Sequence, residues 1–215
     1  MRAQDIHKAV QILQKEVQRW QVPVVGHYSQ SPFTVLISCL LSLRTQDKTT
    51  GEASARLFRL AKTPQTMVKL LIPAIEKAIY PVGFYKTKAK NIKKICRILI
   101  SEYNGRVPDN IEELLKLPGV GRKTANLVVT LGYNKPGICV DTHVHRITNR
   151  WGYVQTKTPE KTEAALRDKL PQRYWIIIND LLVTYGQNIC KPISPFCSRC
   201  KIQRYCDRIG VVKSR

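Results

Sequence analysis

The sequence predicts an all-α fold. Apolar residues recur at three- and four-residue steps along most of the chain. Several of those stretches open on Ser-Pro, Thr-Pro or Asp, as helices do, and no segment alternates with period two over a useful length. In the first stretch Ile6, Val10, Leu13, Val17 and Trp20 share one face, which predicts a helix stopping before Pro23. Ser31 then reads as an N-cap with Pro32 at the first helical position. The run Phe33 to Leu43 is apolar nearly all round, the mark of a helix at a domain centre, and its 11 residues are too few to span a bilayer. The segments TPQTMVKLL, KTKAKNIKKICRILISEY, PDNIEELLKL, RKTANLVVTL, DTHVHRITNRW, TPEKTEAALRDKL and QRYWIIINDLLVTYG continue the helical pattern. Asn104-Gly105 is a β-hairpin dipeptide, but the lysine-rich helical pattern before it and Pro108 after it favour a glycine helix stop. No repeat, low-complexity tract or Gly/Ser linker divides the chain.

Charge narrows the function. Lys and Arg number 36 against 15 Asp and Glu, leaving +21 spread along the whole chain, so a polyanion is the expected partner. The N-terminal MRAQDIHKAV lacks the apolar core of a signal peptide, making the cytoplasm, or a nucleoid within it, the expected location. Of seven cysteines, Cys39, Cys96 and Cys139 stand singly in apolar surroundings and read as core residues. Cys190, Cys197, Cys200 and Cys206 crowd into 17 residues. An odd total without a secretion signal argues for thiolate ligands rather than disulfides. Four thiolates suit zinc or an iron-sulfur cluster; one C-x2-C pair flanked by gaps of six and five is unlike a paired-knuckle zinc ribbon, though spacing alone separates the two weakly.

IEELLKLPGVGRKTANLVV reads as helix, hairpin, helix. Pro118 closes the first helix, and Gly119 and Gly121 admit backbone angles closed to other residues. With Val120 and Arg122 they form a turn whose amides, at a helix N-terminus, suit sugar-phosphate backbone. Lys123 stands in the first turn of the second helix, as a phosphate clamp or a nucleophile. The roles conflict. A nucleophilic lysine must be partly neutral, whereas an ordinary one, of pKa ~10.4, is about 0.04% neutral at pH 7. Desolvation and a helix N-terminus favour the neutral amine; a neighbouring phosphate opposes it. In GICVDTHVHR, Asp141 fits the N-cap of the following helix. His143 and His145, two apart, fall on different helix faces and do not read as a shared metal pair.

LPGVGRKTAN, then VDTHVHRITNR, then cysteines spaced C-x6-C-x2-C-x5-C together resemble the endonuclease III family of DNA repair glycosylases over nearly the whole chain. The resemblance implies a two-lobed helical protein, with a six-helix barrel at residues 24–136 carrying the helix-hairpin-helix, and residues 1–23 with 137–215 forming a second lobe around a [4Fe-4S] cluster. It makes Lys123 the nucleophile and Asp141 the essential carboxylate facing it across a lesion pocket, and it assigns Cys190, Cys197, Cys200 and Cys206 to the cluster. Basic residues of that loop, Lys191 among them, would offset the cluster's charge and face phosphate. The implied substrate is double-stranded DNA containing a damaged base or an abasic site, the implied enzyme a bifunctional glycosylase and lyase, expected to be monomeric and off the membrane. Arg44 departs from the pattern: bacterial relatives usually have glutamine there, three residues before the aspartate matched by Asp47, and that side chain enters the hole left by the extruded base. Phe84 matches the family's apolar wedge. A sister enzyme for mismatched thymine or uracil and a non-catalytic iron-sulfur DNA-binding module are the alternative readings.

Overall fold

A computed structural model describes residues 1–20 and 31–215. The first helix ends at Val17, ahead of Pro23, and the lobe boundary expected between residues 23 and 24 lies outside the described residues. Every regular element among the described residues is helical. In chain order the α-helices are α1 (Ile6–Val17), α2 (Pro32–Ser42), α3 (Asp47–Leu60), α4 (Pro64–Met67), α5 (Ile72–Ile79), α6 (Tyr85–Glu102), α7 (Ile111–Leu115), α8 (Arg122–Leu127), α9 (Thr142–Arg150), α10 (Pro159–Lys169) and α11 (Ile178–Asn188). The chain divides into two units: Val24–Gly137, which carries the hairpin, and Met1–Pro23 with Ile138–Arg215, which carries the cysteines.

The hairpin unit is built on α2. Ser31 caps it by accepting from the Thr34 amide, and the Thr34 hydroxyl accepts from the Ser31 amide in return, satisfying two donors that a helix start leaves open. Every residue from Phe33 to Leu41 is buried, because α3, α6, α8 and the π-helical turn Val128–Gly132 all pack against this helix. A fully buried Leu or Ile contributes roughly 1.5–3 kcal/mol. In α6 the buried face is Lys88, Ala89, Ile92, Ile95, Cys96 and Leu99, an apolar stripe interrupted by one lysine. The helix stops at Asn104 (φ 51°) and Gly105 (φ 73°), and the Gly105 amide donates to Leu99 O at 2.7 Å, so the dipeptide is a helix stop rather than a β-turn.

The cysteine unit gathers Ile6, Ala9, Val10 and Leu13 of α1 into one core with Trp151, Tyr153 and Tyr185, and α1 packs on α11. The segment expected as a single helix from Gln172 to Gly186 is broken. A 3-10 turn spans Gln172–Tyr174, and α11 begins only at Ile178. The Trp175 indole donates to Leu170 O at 2.8 Å, turning the ring back toward the end of α10, where Arg167 lies 5.3 Å over it. That anchoring outweighs the helical periodicity of the segment.

Candidate active site and cysteine centre

The hairpin is held from beneath. Leu114, Leu117 and Val120 are buried, the Val120 amide donates to Leu117 O at 3.1 Å, and Ala125, Asn126 and Leu127 bury the inner face of α8. The Asn126 side chain donates to Arg122 O at 3.1 Å, bracing the first turn. Gly119 sits at φ +80°, where a side chain is strained. Gly121 differs from expectation: its φ of −102° is open to any residue, and a Cβ there would meet nothing within 4 Å. What it supplies is open space. It caps α8 without a side chain, and Arg122 and Lys123 follow, both exposed, on the first turn.

Arg44, Phe84 and Gly119 converge on one cavity of about 430 Å³, lined also by Leu40, Leu43, Thr87, Lys88 and Asn91. Arg44 (φ 53°) and Phe84 (φ 58°) both take the left-handed conformation that non-glycine residues avoid. The guanidinium lies 5.6 Å from the Phe84 ring centroid, and Phe84 is 64% exposed, so its ring is not packed into the helical body. Two exposed side chains in a strained backbone conformation thus share one cavity.

Asp141 does cap α9, and both bonds, from the His143 and Val144 amides at 2.9 Å, end on the single oxygen Oδ1. Its segment is anchored by Asn179, whose side chain donates to Cys139 O at 3.2 Å. Next to Asn179, Asp180 has its carboxyl pushed up to about 6, by burial first and then by the charge of Asp141. α9 also lies close on α11: a Cβ at Gly186 would sit 2.3 Å from His143 Nδ1 and 2.9 Å from Arg146 Nη2. Arg146 donates to Cys190 O at 2.9 Å, tying the helix that Asp141 caps to the first cysteine. His143 lies beside Arg146, and His145 beside Thr162. Lys123 and Asp141 belong to different units.

Cys190, Cys197, Cys200 and Cys206 line one small cavity with Trp151, Ile189 and Phe196. Burial raises the Cys200 thiol and carries Cys206 to about 11. Polar donors address the sulfurs: Tyr185 Oη donates to Cys200 Sγ at 3.2 Å, and Arg150 Nη1 to Cys190 Sγ at 3.5 Å. Lys191, Arg199 and Arg215 stand at 5.5, 5.4 and 4.1 Å from the Phe196 ring centroid, so three positive charges gather around one aromatic ring. Among the described residues, no three His, Cys, Asp or Glu side chains close to single-ion distance. Cys39, Cys96 and Cys139 are buried, as expected.

The sequence patterns alone did not single out Lys88, Thr45, Asn179, Asp180, Arg150 or Tyr185. A signal existed for Lys88, a lysine inside the apolar stripe of α6; Thr45 and Asp180 carried none.

A family model described as HhH-GPD superfamily base excision DNA repair protein matches residues 37–172. Endonuclease III of Thermotoga maritima is 50% identical over 182 residues, 85% of this chain and 85% of its own length. A solved structure of a trapped endonuclease III–DNA covalent intermediate superposes with a TM-score of 0.85 at 33% identity, over 97% of both chains. A thermostable thymine-DNA glycosylase superposes with a TM-score of 0.80 at 25% identity, over 95% of this chain and 98% of that one.

Proposed function

The chain belongs to the endonuclease III family of HhH-GPD base-excision-repair proteins, DNA glycosylases that are also lyases at abasic sites, and from that premise we propose that it removes oxidised pyrimidines with Lys123 as nucleophile. The observation that carries the assignment is the exposed lysine on the first turn of α8, directly after the Leu117–Gly121 turn. Its relative's covalent DNA intermediate supports an amine rather than water as the attacking group. DNA closing over the exposed lysine would supply the desolvation that the chemistry needs.

In this reading the neutral Lys123 Nζ bonds to the sugar C1′ as the C1′–N bond to the base breaks, and the departing base takes up a proton. The ring opens to a Schiff base on Nζ. Loss of a C2′ proton then expels the 3′ phosphate by β-elimination, and water releases the lysine. Asp141 is the carboxylate that stabilises positive charge on the sugar and relays protons, a role compatible with capping because the cap uses Oδ1. Gly119, Val120, Gly121 and Arg122 hold the backbone, Arg44 and Phe84 enter the duplex, and Lys191 meets phosphate.

The four cysteines are read as ligands of a [4Fe-4S] cluster. Donor set and surroundings fit: four thiols round one cavity, with Tyr185 and Arg150 donating to sulfur. A [4Fe-4S] cubane takes one thiolate per iron, which four cysteines supply. When bound, the cluster folds the basic loop around itself. The enzyme would act as a monomer on nucleoid DNA.

The test is release of damaged bases from defined duplexes. Release of thymine glycol with a β-elimination end, above release of uracil or mismatched thymine, is expected. Preference for mismatched thymine or uracil would assign the sister activity instead, and tight binding with no release would assign a non-catalytic module.

A further inference from the structure

Lys88 and Thr45 serve neither the chemistry nor the cysteine centre, yet the loops presenting Arg44 and Phe84 are joined through them. Lys88, 8% exposed, directs its ammonium at Leu41 O (2.9 Å), Leu43 O (2.6 Å) and Thr45 Oγ1 (3.4 Å). Three donors thus meet three acceptors, two of them carbonyls at the C-terminal end of α2, where a cation is favoured. Burial pushes this amine down to about 8. Thr45 Oγ1 donates to Leu43 O at 3.2 Å and accepts from the Gly83 amide at 3.1 Å. A Cβ at Gly83 would lie 2.7 Å from Arg44 O, so the two loops run in backbone contact. Lys88 itself belongs to the first turn of the helix that Phe84 opens, its amide donating to Phe84 O at 3.0 Å.

We propose that Thr45 and Lys88 are positioning residues that lock the Arg44 loop to the Phe84 loop, so that the two side chains meet duplex DNA as one preset unit. The proposal rests on the reading above in which both side chains enter the duplex. It accounts for two strained residues side by side: each left-handed conformation is held by bonds across the two loops as well as by its own turn. It also predicts coupling. Loosening the joint misplaces Arg44 and Phe84 together, so removing either afterwards costs little more.

The variant of choice is Thr45→Val, which deletes the hub oxygen while nearly keeping shape; Lys88→Met serves as a second, since it orphans helix-end carbonyls and endangers folding. Base release from an oxidised-pyrimidine duplex is measured beside cleavage of an abasic site in a single strand, where there is no partner strand to enter. Thr45→Val is expected to lower the duplex-to-single-strand ratio about tenfold, the scale of an ångström-sized misplacement, and Thr45→Ser to restore it. Arg44→Ala and Phe84→Ala should each lower the ratio in the wild type but by less than about twofold on the Thr45→Val background. Full, multiplicative losses on that background, or an unchanged ratio for Thr45→Val, overturn the proposal. If Arg44→Ala and Phe84→Ala are silent in the wild type, the duplex-entry reading has failed, and the proposal falls with it.

Discussion

Replacing Asp180 by asparagine should make the protein more stable, and the gain should grow with pH. Asp180 stands in the first turn of α11, where the helix dipole favours an anion, yet its carboxyl is pushed up to about 6, so burial and the Asp141 charge outweigh the dipole. The raised value means that between about pH 4 and 6 the unfolded chain gives up a proton that the folded chain keeps, and stability falls as pH rises through that window. A shift of about two units is worth at most ~3 kcal/mol at pH 8, where the full penalty applies, and ~1.5 kcal/mol at pH 5, where the folded carboxyl is still mostly protonated. Asparagine keeps the shape and removes the charge. With roughly 2–4 °C per kcal/mol for a chain of this size, Asp180→Asn should raise Tm by about 6–12 °C at pH 8 and about half as much at pH 5. Thermal melts of both proteins, followed by circular dichroism at the two pH values, measure it. An equal gain at both pH values, or a loss at pH 8, would refute the burial argument.

Four further outcomes follow from the geometry. Gly119→Ala, forced to φ +80° with its Cβ 2.8 Å from Asn91 Nδ2, should cost about 1–2 kcal/mol of stability. Gly121→Ala, at φ −102° and open above, should cost less than about 1 kcal/mol in chemical denaturation yet weaken duplex binding, because its methyl fills the space in which the proposed reading places the sugar-phosphate backbone. Tyr185→Phe removes the hydroxyl that donates to Cys200 Sγ, and should lower the reduction potential of the proposed cysteine-bound cluster by on the order of 30–60 mV in a redox titration, since donors to sulfur favour the more negative form. Leu36→Ala, at the buried centre of α2, should cost about 2–5 kcal/mol in denaturant unfolding while leaving the identity of the released base unchanged.

Helices and their ends were legible because their causes are local. Ser31 with Pro32, Asp141 and the Asn104-Gly105 stop each act within a few residues, and each stands where its chemistry predicts. The break before α11 was not, since it turns on the Trp175 indole reaching Leu170 O and meeting Arg167, contacts that no periodicity records. Gly121 was misjudged for a related reason. A glycine in the sequence does not say whether it is there for its backbone angle, as Gly119 is, or for the emptiness above it. The hairpin lysine and the cysteine loop were readable as motifs. Asn179 before Asp141 and Tyr185 behind Cys200 come from elsewhere in the chain and become visible only when it folds.

Reductive trapping puts Lys123 to the test as the nucleophile. Protein and a duplex containing thymine glycol are mixed with borohydride, which reduces a Schiff base to a permanent bond, and the adduct is digested and mapped by mass spectrometry. A covalent adduct on Lys123, absent from Lys123→Ala, is expected. Base release without any adduct, or an adduct on another lysine that survives in Lys123→Ala, would contradict it.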